Sequence, residues 1–177
     1  MIAGRQQIGY SHRSHHVSGL AARGERSARW MIPGFVALGT SNLLMPTPDP
    51  SLTRLTRVAG ATTIAAGLVQ VSGPRCPQPG FDPDATASDL GHAVASVATF
   101  GVWTMLPLVA RRVGGPRWYR FVCGVLAVAA VVGIGLAGAT TRADSPDKGV
   151  IQRAFLGTVF AWHMTTTIAS IGRHQSA

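Results

Sequence analysis

The sequence predicts an all-α bundle of membrane-spanning helices, on three observations. Charged residues make up only 13% of the 177 positions, about half the roughly 25% usual for soluble domains. The apolar residues are gathered into five blocks separated by polar gaps. Within the fourth block, Val122 to Ala139 carries no charge on any helical face, whereas a surface helix of a soluble protein keeps a charged one. The same figures exclude intrinsic disorder, a coiled coil and a disulfide-stapled scaffold.

Along the chain, residues 1–29 form a polar segment with five arginines and with His12, His15 and His16. No apolar core follows an N-terminal charge there, as a cleavable signal peptide requires. The blocks predict spans over about 30–46, 56–72, 89–110, 119–139 and 150–171, within one domain of residues 30–172 and a tail of 173–177. A spanning helix needs about 20 mostly apolar residues, 17 at the lower limit. The last three blocks meet this, and the first two do so only with their polar flanks counted. Pro46, Pro48 and Pro50 close the first block; the second carries Thr62, Thr63 and Gln70. The gap from Gly73 to Ser88, with four prolines, reads as a stiff loop. Three pairs of small residues four apart, Ala61/Ala65, Gly135/Ala139 and Gly157/Ala161, have the spacing that lets helices approach closely in lipid. Cys76 in a polar loop and Cys123 in an apolar block form neither a CxxC pair nor a metal-ligand spacing.

The net charge of +9 raises nucleic-acid binding. Yet the arginines occupy the gaps between blocks, where membrane proteins put them because a charge at mid-bilayer costs several kcal/mol. No nucleic-acid partner is expected. With five spans, alternate gaps fall on opposite sides. One set holds Arg54, Arg57, Arg111, Arg112, Arg117, Arg120 and Arg173; the other holds Arg75, Arg142, Lys148 and Arg153. The positive-inside rule puts the richer set, and the C-terminus, in the cytoplasm. That leaves an arginine-rich N-terminal segment outside with no helix before it to carry it across. Either the orientation is inverted or a helix precedes residue 1, and the second is the expectation.

The run Gly9-Tyr10-Ser11-His12, followed by Val17-Ser18 and Gly24, resembles the loop after the first span in a bacterial membrane-protein family catalogued as domain of unknown function 998 (DUF998). The resemblance extends to the loop with Pro74, Cys76, Pro77, Gly80 and Asp82, to Asp89-Leu90-Gly91-His92, and to Gly149, Gln152 and Arg153 at the opening of the last block. It covers roughly residues 9–172 and implies a six-span architecture of which this chain shows five, lacking the first. The family carries no established activity, so the resemblance informs architecture alone.

Several residue groups can carry chemistry. Asp89 and His92 share a helix face, and Gln152 and Arg153 open the last block on the same side, so the four form a candidate ligand site. The simpler use of Asp89 is to cap its helix. His163 lies inside a span, where an ionisable residue is a functional candidate by default, and joins the ligand-site residues. His92 with His163 would ligate haem only at equal depth, yet their positions differ by roughly 10 Å along the membrane normal. Thr165–Thr167 with Thr40, Ser41 and Asn42 either line a polar cavity or bond back to their own helices. His12, His15 and His16 have a metal-like spacing without Cys or carboxylate support. Arg111, Arg112, Arg117 and Arg120, interleaved with Trp118 and Tyr119, match an anionic-lipid contact.

There is no GxSxG, HExxH, P-loop or dinucleotide fingerprint, and no cofactor or metal is expected. The leading expectation is a non-enzymatic protein of a bacterial plasma membrane that binds or transports a lipid or small hydrophobic molecule. Membrane lipids are its expected partners, with a homo-oligomer or a larger membrane complex as further partners. Two other readings are a membrane-embedded redox protein (haem- or quinone-linked) or enzyme using His92 and His163, and a structural subunit of a membrane complex.

Overall fold

Short polar side chains, proline and glycine set the helix boundaries. In the computed structural model, which describes residues 7, 9–47, 49–80 and 82–174, with side chains to Ser170, five helices follow a 3-10 turn at Val17–Ala21. They are α1 (Ala28–Leu44), α2 (Pro50–Leu68), α3 (Ala87–Val113), α4 (Arg117–Arg142) and α5 (Lys148–His174). No strand occurs among the described residues. Arg5 lies outside them, as do the side chain of Arg173 and the last three residues.

Helix α2 starts ahead of its apolar block because Asp49 accepts the N–H groups of Ser51 (2.8 Å) and Leu52 (3.0 Å), with Pro50 in the first helical turn. Arg54 and Arg57 therefore stand on the helix rather than in a loop. Helix α3 opens with a capping box between Thr86 and Asp89. It closes at Gly114 and Gly115, whose φ angles of +107° and +125° suit glycine, and α4 begins immediately after Pro116.

Each helix packs on the next in sequence, α1 on α2 through to α4 on α5, whereas α1 and α5 scarcely touch. Leu52, Trp103, Leu106, Cys123, Phe155 and Trp162 form the main core, drawn from α2 to α5. Glycine closes the α1–α2 seam. A Cβ on Gly39 would lie 2.7 Å from the Gly60 carbonyl oxygen, and one on Gly60 would lie 2.5 Å from that of Gly39. Two of the predicted close-packing glycines behave otherwise: Gly135 and Gly157 have nothing within 4 Å of an added Cβ, so neither brings helices together.

Two helices among the described residues, α3 and α4, are long and apolar enough to cross a membrane. At 1.5 Å per residue each is about 40 Å long. Only 33% and 22% of their most apolar stretches is buried within the molecule, unlike the core helix of a soluble protein. Val94, Val97, Phe121, Val128 and Leu136 are exposed along them.

Candidate functional site

The site begins at the N-terminus of α5, where backbone N–H groups have no partner within the helix. Those of Gly149 and Val150 donate to the Arg13 carbonyl, at 2.8 and 3.2 Å. One turn on, Arg153 donates from Nη1 to the carbonyls of His12 (2.7 Å), His15 (3.0 Å) and Gly149 (2.8 Å), and from Nη2 to the Tyr10 hydroxyl. Tyr10 in turn donates to the His16 carbonyl (3.1 Å). Gln152 accepts the Val17 N–H through Oε1 (2.7 Å). Gly149 is required at this spot, since a Cβ would meet the carbonyl oxygens of His12 at 2.7 Å and Arg13 at 2.8 Å. The two short motifs at opposite ends of the chain are thus a segment and its socket. Residues 10–17 form a roof over this end of the bundle.

Further contacts pin the roof. The His16 ring is buried and its Nε2 lies 3.1 Å from the Thr141 hydroxyl. That hydroxyl donates to the Ala137 carbonyl, so His16 Nε2 carries the proton. Burial, with help from the charges of Lys148 and Arg153, pushes His16 down to about 4. Ser18 approaches Cys76, whose buried thiol is pushed up to about 11, mainly by desolvation, and so is unreactive. Cys76 and Cys123 are both free. The Arg13–Asp147 ion pair is exposed and screened by solvent.

The candidate ligands are mostly engaged with the protein itself. Asp89 accepts from the Ser72 N–H and hydroxyl (both 2.7 Å) and from the Thr86 N–H (2.8 Å) and hydroxyl (2.7 Å), tying α3 to the preceding loop. Its capping role is the one the structure uses. His92 donates from Nδ1 to the Val69 carbonyl (2.8 Å) and accepts the Ser96 hydroxyl at Nε2 (3.1 Å); the carbonyl fixes the tautomer. Asp89 and Arg153 do not meet in one cluster.

Beneath the roof lie two cavities. One, of about 480 Å³, is a cleft between α1 and α5, with Gly34 and Phe35 on one wall, Gly157 and Phe160 on the other, and α3 behind. Its apolar walls end, under the roof, in His92, Gln152 and Arg153. The second, of about 360 Å³, lies between α3 and α4 and reaches His16, Cys76, Asp89 and Thr141. His92, Ser96 and Gln152 border both. The structure therefore brings His92, Gln152 and Arg153 together and places Asp89 in the adjoining space.

His163 stands apart. Counted from the helix starts at Ala87 and Lys148, it lies roughly 15 Å deeper than His92. It borders neither cavity. Its ring packs edgewise on Trp162, and its buried Nε2 has no partner among the described residues. The hydroxyls of Thr165, Thr167 and Ser41 bond back to their own helices, and Asn42 does the same through its amide. His15 accepts the Ser11 N–H, and no three His, Cys, Asp or Glu side chains are grouped for a metal among the described residues. Arg111, Arg117 and Arg120 border a groove on α4, and Arg112 lies outside it.

What sequence reading missed is the lock between Tyr10, the 12–15 carbonyls and α5, and the two glycines that keep the cleft open. The pairing of a Gly-Tyr-Ser-His run with a distant Gly-x-x-Gln-Arg was the available signal. No curated protein and no solved structure matches the chain. The family described as "Protein of unknown function (DUF998)" matches residues 1–169, a stretch that contains both the roof and its socket. The chain belongs to that family.

Proposed function

We propose that this chain supplies five spans of a plasma-membrane protein, with its C-terminus cytoplasmic, whose α1–α5 cleft binds a lipid or small hydrophobic molecule. Exposed apolar side chains supporting the membrane reading occur on every helix, among them Leu44, Leu68, Val97, Phe121 and Met164. Leaving aside the N-terminal segment, Arg54, Arg57, Arg111, Arg112, Arg117 and Arg120 lie at the end opposite the roof against Arg75, Arg142, Lys148 and Arg153 at the roof end, which supports a cytoplasmic C-terminus by the positive-inside rule.

The observation that carries the binding reading is the cleft itself. It has the volume of a small-ligand site and largely apolar walls, with His92, Ser96, Gln152 and Arg153 toward the roof and Thr63, Thr99 and Trp103 deeper. Gly34 and Gly157 both line it, and a Cβ added at either would meet nothing within 4 Å. A ligand would lay its apolar body between α1 and α5 and turn its polar end toward His92, Ser96 and Gln152. Asp89 and Arg153 hold the frame and the roof, leaving the ligand to be recognised by shape and apolar contact.

The test has two readouts on the full chain. Resistance of the membrane-bound protein to alkaline carbonate extraction checks membrane embedding. Native mass spectrometry of the detergent-extracted protein then looks for retained non-protein mass. A retained lipid or apolar molecule that disappears in Gly157→Phe and persists in Arg112→Gln supports the cleft. A haem mass would replace this reading with the redox one, and His163 would be the first residue to change. A bare protein mass, with assembly of a membrane complex lost on deletion, would replace it with the structural-subunit reading.

A further inference from the structure

The end of the bundle away from the roof carries a second surface. Arg111, in the last turn of α3, and Arg117 and Arg120, in the first turn of α4, border a groove of about 930 Å³. Below them it runs down the outward face of α4 past Phe121, Val125 and Val128 to Val132. These walls are exposed: Phe121 to 73% and Val128 to 64%. Gly124 shapes the upper end. A Cβ there would lie 3.2 Å from Arg111 Nη1 and 3.4 Å from its Cζ, so the missing side chain lets the guanidinium rest against α4. The ion pairs among the described residues, Arg13–Asp147 and Lys148–Asp144, are both at the roof end. Among the described residues none of the three arginines is ion-paired with a carboxylate.

We propose that this groove seats one anionic phospholipid of the adjacent leaflet, with its phosphate among Arg111, Arg117 and Arg120 and an acyl chain along α4. The inference rests on the membrane reading but not on the cleft. Charge is the first argument, because guanidinium groups bind phosphate through paired, charge-assisted hydrogen bonds. Length is the second. From Phe121 to Val132 the groove is about 16 Å long at 1.5 Å per residue, close to half of a roughly 30 Å hydrocarbon core. A soluble phosphate needs no such apolar track. The site also separates neighbours: Arg112 follows Arg111 in sequence yet does not border the groove. A diffuse attraction to an anionic surface would weight them alike.

The test reconstitutes the full chain in nanodiscs of phosphatidylcholine doped with phosphatidylglycerol and counts retained lipids by native mass spectrometry. Phosphatidylglycerol is expected to be retained in preference to phosphatidylcholine. Arg111→Gln and Arg120→Gln should each weaken retention about fivefold, the value of roughly 1 kcal/mol per charge. Gly124→Leu should abolish it by displacing Arg111 and filling the groove, and Arg112→Gln should leave it unchanged. Arg111→Lys keeps the charge and controls for folding. Equal retention of both lipids, or equal losses in Arg111→Gln and Arg112→Gln, would overturn the site. So would competition by glycerol phosphate as strong as by the whole lipid. Failure to enter nanodiscs at all would instead overturn the membrane reading on which the site depends.

Discussion

Helix α1 has two flanks, and glycine does opposite things on them. On the α2 flank, Gly39 meets Gly60 backbone to backbone, and Gly67 takes Phe35 with only 2.5 Å between its would-be Cβ and the Phe35 Cβ. On the α5 flank, five residues from Gly39, Gly34 lines the same cleft as Gly157, and an added Cβ at either would meet nothing within 4 Å. The same residue closes one interface and keeps the other open. Glycine content therefore does not distinguish a packed seam from an open cleft in a helical bundle; what stands opposite it does.

The largest expected effect breaks the seam. Gly60→Leu should prevent stable folding, since the new Cβ lands on the Gly39 carbonyl and the Leu43 backbone N at 2.9 Å, a strain of about 3 kcal/mol or more. Yield of monodisperse protein in detergent checks it. Gly157→Leu should leave that yield intact. An equal loss in both would erase the distinction between the two flanks.

Next is the roof, which belongs to the open side. Arg153→Gln leaves the His12 and His15 carbonyls without their charged donor, at a cost of about 3 kcal/mol for two such bonds. Residues 10–17 should then exchange amide hydrogens rapidly while the α1–α2 seam stays protected. Acid should act on the same segment. His16 is neutral in the folded protein, with its pKa lowered to about 4, whereas an unfolded histidine titrates near 6.5. Below 6.5 the unfolded segment binds more protons, so roof stability is full above that pH and falls as the pH drops toward 4. Thermal unfolding followed across that range should show the loss, and His16→Gln should flatten it. The smallest effect sharpens the contrast again. Gly34→Ala should change thermal stability by less than about 1 kcal/mol, in the stabilising direction, because it adds helix propensity where space is open.

Much of the fold was legible because apolar blocks and caps are local. Asp89 is legible as a helix cap, whereas the Asp49-Pro50 start of α2 is missed because it lies ahead of the apolar block. The all-helical class followed from composition alone. The site was legible only in part. Gln152, Arg153 and His92 were found because polar residues at a helix opening are conspicuous. Their use was not, since Arg153 spends its donors on carbonyls more than 130 residues away in sequence, and a backbone carbonyl leaves no sequence signature. The glycine pairs misled for a related reason. The spacing of Gly157 and Ala161 is that of a packing pair, but which helix faces them depends on the α1–α5 gap, a property of the whole bundle.

The central claim is that the α1–α5 flank is open to an apolar guest while the α1–α2 flank is shut. Photo-crosslinking with a diazirine fatty acid in phosphatidylcholine vesicles, followed by peptide mapping, tests it directly. Labelling concentrated at Phe35, Leu156 and Phe160, absent from Gly39 and Gly60, and suppressed by Gly157→Phe is the predicted result. Labelling spread evenly over the outward faces of all five helices, and unchanged by Gly157→Phe, would contradict it.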